Sequence, residues 1–134
     1  MEKVKKTEEE WSAELTPERY RIMREKGTEP AFSGEYWNEH TLGVHRCAAR
    51  GQALFGSEAK FDSGTGWPSF WQPMETAEID RETDLSYGIA RTEVLCGRCR
   101  SHLGHVFDDG PLPTGLRYCI NSTALELVRE EEEE

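Results

Sequence analysis

No apolar run in these 134 residues approaches the roughly 20 that a membrane span needs. The opening residues Met1, Glu2, Lys3, Val4, Lys5 and Lys6 have no hydrophobic stretch behind them, so they do not read as a secretory leader. Basic residues are scarce: 16, against 26 acidic ones, leave a formal charge of -10. The five glutamates at positions 130–134 supply half of it, and the remainder is still moderately acidic. That balance argues against a phosphate backbone or an anionic membrane as partner. No internal repeat is present. Cysteine is sparse too, with four in the chain. A domain of this length buries roughly two-thirds of its unfolded surface and needs no disulfide to fold. The expectation is one cytoplasmic domain whose cysteines bind metal or react, rather than staple.

Residues 7–26 carry helix signals. Thr7 with Glu10 fits a capping box, and Trp11 and Leu15 fall four apart. Thr16 followed by Pro17 is a second start, Tyr20, Ile22 and Met23 give an apolar stripe, and Gly27 is the expected stop. Strand signals dominate from about residue 43. Residues 87–95, 103–107 and 116–128 are candidates, separated by the glycine- and proline-rich turns at 63–68 and 108–111. The reading is a β-rich core with a helical arm at 1–28, a catalytic β-rich part at 29–128 and a disordered acidic tail at 129–134.

Cys119 lies in Leu116-Arg117-Tyr118-Cys119-Ile120-Asn121-Ser122. On a strand, the two-residue period puts Arg117, Cys119 and Asn121 on one face and Leu116, Tyr118 and Ile120 on the other. A thiol beside a guanidinium is a candidate nucleophile; a buried structural cysteine is the alternative. His102 and His105 stand three apart and are candidates to stabilise a thiolate and protonate a leaving oxygen. Together with Cys96 and Cys99 they also make a compressed Cys-Cys-His-His set, too tight for the usual zinc spacing. Cys96-Gly97-Arg98-Cys99 alone is a zinc half-site. Its candidate partner, Cys47-Ala48-Ala49-Arg50, lacks the second sulfur, leaving His45 or a water to complete a tetrahedron against the charge of Arg50. Trp67, confined between Gly66 and Pro68, suits the wall of a small apolar pocket, and Phe70 reads as core.

Gly66-Trp67-Pro68-Ser69-Phe70, His102-Leu103-Gly104-His105-Val106-Phe107 and Arg117-Tyr118-Cys119-Ile120-Asn121-Ser122, with Thr28 to Gly34, resemble the peptide methionine-(R)-sulfoxide reductase B family. The likeness runs in order over about residues 10–128. The resemblance implies a mainly β fold, two antiparallel sheets with short N-terminal helices packed on them. It implies reduction of methionine-(R)-sulfoxide, in proteins or free, with Cys119 as nucleophile and Trp67 and Phe107 at the substrate methyl group. His102, His105 and Asn121 would surround the sulfoxide oxygen, and Arg117 would help the thiolate. The chemistry requires no cofactor. It passes through a sulfenic acid that thioredoxin or another thiol reduces, and the enzyme is expected to be a monomer. Many relatives carry a resolving cysteine where this chain has Thr65, and some where it has Ser33. Zinc-binding relatives have two complete C-x-x-C pairs, where here Arg50 replaces one cysteine. Weak zinc at Cys47, Cys96 and Cys99 is expected.

Two other readings compete. One is a non-catalytic zinc-binding interaction module built on Cys47, Cys96 and Cys99, which gives Cys119 and Trp67 no role. The other is a thiol-disulfide oxidoreductase using Cys96 and Cys99, which requires a strand-to-helix junction that the pattern does not supply.

Overall fold

The computed structural model describes residues 6–49, 51–85 and 88–129. Helix α1 spans Glu8–Glu14, and its start carries the expected capping box: Glu10 N–H donates to the Thr7 hydroxyl at 3.1 Å and Thr7 N–H to the Glu10 carboxylate at 2.9 Å. Three glutamates in its first turn suit the positive end of the helix dipole. Helix α2, Pro17–Met23, starts on Thr16 with proline at its first position. It ends before the expected stop. The chain turns at Lys26, with φ of 59°, and Gly27 N–H then reaches back to the Arg21 carbonyl at 3.0 Å. A Cβ on Gly27 would lie 2.9 Å from that carbonyl oxygen, so glycine is required there by close approach.

The strands are β1 Gly43–Cys47, β2 Ala53–Gly56, β3 Lys60–Phe61, β4 Ser69–Phe70, β5 Ile79–Asp84, β6 Arg91–Cys96, β7 His102–Phe107, β8 Arg117–Ile120 and β9 Leu125–Arg129. They form two antiparallel sheets, one ordered β2-β1-β9 and one ordered β3-β4-β8-β7-β6-β5. The mainly β architecture with two short N-terminal helices is the one expected. The candidate at 87–95, whose position 87 lies outside the described residues, becomes β6, which starts only at Arg91 and runs on to Cys96; the candidate at 116–128 splits into β8 and β9 around a short 3-10 turn, Ser122–Ala124. Of the tail expected to be disordered at 129–134, Arg129 is instead the last residue of β9, paired with Gly43, and 130–134 lie outside the described residues.

One core joins everything. Phe55 of the small sheet stacks on Phe70 of the large one with centroids 4.5 Å apart, and Tyr118 tilts against Phe55 at 5.7 Å. Trp11, Ile22 and Met23 of the helices belong to the same cluster and are at most 1% exposed. Each such side chain contributes about 1.5–3 kcal/mol by leaving water, so the helices are part of the core rather than an ornament on it. Among the described residues, no helix is long and apolar enough to cross a membrane.

Candidate active site

Cys119 sits on β8, in the middle of the six-stranded sheet, with Arg117 beside it on the more open face; Tyr118 and Ile120 turn into the core. The pairing register then places Ser69 of β4 opposite Cys119 on one side and His105 of β7 opposite it on the other. Directly opposed residues of an antiparallel pair project to the same face about 5 Å apart. The thiol therefore stands in a row with an imidazole and a hydroxyl. A pocket of about 250 Å³ opens over Cys119 and His105, lined also by Asn121, Arg117, Trp67, Phe107, Thr28, Thr65 and Arg91.

The resting thiol is not simply activated by its cation. Burial pushes the Cys119 thiol above its ordinary range. The Arg117 guanidinium and the Thr65 hydroxyl pull it down without overcoming that, and the Glu29 carboxylate adds to the rise. Arg117 is shared: it donates to both oxygens of Asp109 at 2.9 and 3.1 Å, and its guanidinium lies 4.5 Å from the Phe107 ring centre.

Two histidines three apart on a regular strand would face opposite ways. They meet here because β7 bulges: Val94 pairs with Gly104 but Leu95 with His102, leaving Leu103 over. The rings lie 5.4 Å apart, edge to face. His105 Nε2 is 2.7 Å from the Asp84 carboxylate. An ionised carboxylate only accepts, so the proton sits on Nε2. His102 Nδ1 is likewise 2.7 Å from Glu93, whose other oxygen meets Lys26 Nζ at 3.1 Å. Burial holds the His102 pKa down although Glu93 opposes it. His102 is not on the pocket wall; it lies behind it, packed on His105. Asp84 and Glu93 are residues that the sequence reading missed. Only their position across from the histidines, visible once the register is known, reveals them.

Glu29 was missed too. It is 1% exposed, and its carboxylate accepts from Ser122 N–H, Thr123 N–H and the Thr123 hydroxyl, each at 2.8 Å. Its backbone N–H donates to Asn121 Oδ1 at 3.0 Å and its carbonyl accepts from Trp67 Nε1 at 2.9 Å. Asn121 Nδ2 in turn donates to the Leu103 carbonyl at 3.1 Å. One buried residue thus fixes the indole, the amide and the end of β8.

Cys47, Cys96 and Cys99 come together elsewhere, with all three sulfurs within 4.8 Å of one another and buried. The Cys47 and Cys99 sulfurs are 3.8 Å apart, which is the edge of about 3.8 Å expected of a tetrahedron with Zn–S of about 2.3 Å. The donor set fits a thiophilic metal. Hydrogen bonds with Cys47 and Cys96 draw Cys99 well down, and those with Cys96 and Cys99 push Cys47 up. His45 does not complete the set. Its ring sits between Tyr36 and Phe70, with centroids 5.5 and 5.1 Å away, and burial lowers its pKa to about 4. His102 and His105 are engaged with Glu93 and Asp84, so the compressed four-ligand set is not formed. Arg50 lies outside the described residues. Cys96 ends β6 and the next strand follows, so the strand-to-helix junction of a thiol-disulfide oxidoreductase is absent here. Cys96 is three residues along β6 from the row through Glu93, His105 and Cys119, and two strands across from Cys119. That separation is roughly 14 Å between Cα atoms, beyond the reach of a disulfide.

Residues 15–129 match the SelR domain. The chain is 62% identical over 120 residues to the peptide methionine sulfoxide reductase MsrB of Thiobacillus denitrificans, covering 90% of this chain and 91% of that one. It is 56% identical over 131 residues to the protein of the same name from Acinetobacter baumannii, covering 98% and 94%. The Acinetobacter baylyi protein of that name matches to the same extent. With the Cys119 row, the Trp67 wall and these likenesses together, the chain belongs to the SelR-domain family, that of the peptide methionine sulfoxide reductases B.

Proposed function

We propose that this chain reduces methionine-(R)-sulfoxide, in proteins or free, to methionine. The observation that carries the reading is the register that sets Cys119 opposite His105 under a small pocket walled by Trp67 and Phe107. The Cys119 thiol gives its proton to Nδ1 of His105, whose Nε2 is held by Asp84; the thiolate attacks the sulfoxide sulfur, and His105 passes that proton on to the departing oxygen. The net exchange leaves methionine and a Cys119 sulfenic acid, the oxygen having moved from one sulfur to the other. Two equivalents of an external thiol then return Cys119 to the thiol, with water and a disulfide as products. Thioredoxin is the reductant by family expectation. Trp67 and Phe107 receive the methyl group, Arg117 and Asn121 face the reacting sulfur, and His102 steadies His105 from behind. Oxidised proteins are the main substrates.

The enzyme works as a monomer in the cytoplasm, where its four free cysteines stay reduced. The chemistry needs no cofactor. Cys47, Cys96 and Cys99 hold zinc weakly, with three protein sulfurs and no fourth protein ligand among the described residues. The metal would tie β1 to the turn between β6 and β7 and take no part in the reaction. The deciding experiment supplies each epimer of methionine sulfoxide with dithiothreitol. Methionine should form from the R epimer and not from the S epimer; no product from the R epimer would refute the reading.

A further inference from the structure

The loop that carries Trp67 also gathers three hydroxyl groups. Gly64 and Gly66 take φ of 78° and 94°, a backbone that side chains rarely adopt, and so fold Ser63 back over Ser69. The Ser63 oxygen is 2.8 Å from that of Thr65 and 2.7 Å from that of Ser69. Ser69 is fully buried, reaches the Trp67 carbonyl at 3.1 Å and is paired with Cys119 across β4 and β8. At the other end Thr65 lines the same pocket as Cys119, and its hydroxyl acts on that thiol to lower its pKa.

Each hydroxyl owns one proton and two lone pairs, which allows two complete arrangements. In the first, Thr65 donates to Ser63, Ser63 to Ser69 and Ser69 to the Trp67 carbonyl, so the row points away from the thiol. In the second, Ser69 donates to Ser63, Ser63 to Thr65 and Thr65 to the sulfur. The Ser63 oxygen accepts the Thr65 N–H at 3.3 Å and one hydroxyl in either case, so it is never overfilled. We propose that Ser69, Ser63 and Thr65 form a reversible hydroxyl relay ending on the Cys119 sulfur, with Thr65 as a catalytic donor and Ser63 as the residue that positions it. No proton leaves its oxygen; each O–H turns about its own C–O bond. A neutral thiol leaves the row pointing outward. A thiolate, or the oxidised sulfur that follows it, reverses all three, and the linked bonds strengthen one another. The inference rests on Cys119 being the reacting sulfur.

The test needs no sulfoxide, so it fails separately from the reductase reading. The rate of Cys119 alkylation by iodoacetamide is followed against pH, by mass analysis of the peptide that carries it. Thr65→Val, which keeps shape and loses the hydroxyl, should raise the midpoint by about one unit and slow alkylation near neutral pH about ten-fold. Thr65→Ser should restore the wild-type midpoint. Ser63→Ala should slow alkylation about three-fold, since the Thr65 side chain is then free among three staggered wells. Thermal melts of each variant confirm that the protein is folded. A Thr65→Val protein with wild-type midpoint and rate would overturn the proposal. So would Ser63→Ala without effect, which also decides the matter should Thr65→Val fail to fold.

Discussion

The two sulfur sites share the strand pair β6 and β7 and arrive at opposite chemistry. Strands β6 and β7 run from the Cys96–Cys99 turn at one end to the row containing His105. At the turn, three thiols face chiefly one another in a dry interior, and each sulfur's nearest polar neighbours include another sulfur. At the row, a single thiol is half-buried in a pocket and faces a guanidinium, a hydroxyl and an imidazole. Thiolate at the first site is stabilised by sharing or by metal. At the second it forms only when a proton can leave and donors turn to meet it. Cysteine type and burial alone do not separate the two roles; the groups opposite each sulfur do.

The largest effect that sharpens this contrast is on turnover. Cys119→Ser should abolish reduction of the R epimer, because a hydroxyl is a poor nucleophile at neutral pH. Cys99→Ser should leave turnover per folded molecule intact while lowering stability by about 2 kcal/mol through a buried, poorly matched hydroxyl. The reverse pattern would break the comparison. Next is His105→Ala, expected to slow single-turnover methionine formation roughly 100- to 10,000-fold; an unchanged rate would remove His105 from the reaction. Trp67→Ala should raise KM through loss of the apolar wall, and a wild-type KM would count against that role. At the other site, elemental analysis should find less than one zinc per chain, and Arg50→Cys should raise zinc content and melting temperature together. One tightly held zinc in the unmodified protein would contradict this. The smallest effect concerns pH. Arg117 pulls the Cys119 pKa down, so Arg117→Met should move the alkylation midpoint upward, by about half a unit or three-fold in rate near neutral pH. A midpoint that falls would mean the cation is not acting on the thiol.

How much of this was legible follows physical lines. The capping box at Thr7 and the proline start at Thr16 are local signals, and both hold. The alternation around Cys119 needs only the two-residue period, and it holds too. What the sequence hides depends on pairing. The bulge at Leu103 brings His102 and His105 together but pushes His102 behind the pocket. Strand β5, Ile79–Asp84, has three exposed residues in succession and no apolar alternation to announce it, yet it delivers Asp84 to His105. Glu29 reads as one more surface glutamate, because its three donors come from residues more than 90 positions away. The resemblance brought the motifs into one site, and the register shows how their residues meet.

The central claim is that one sulfur reacts and three do not. Substrate without reductant tests it most directly. The account predicts one methionine released per chain, a fall of one free thiol, and a sulfenic acid on Cys119 that dimedone traps. A loss of two thiols, with a peptide map joining Cys119 to Cys47, Cys96 or Cys99, would contradict it: the sheet would then have to open far enough to bring two separated sulfurs within bonding range.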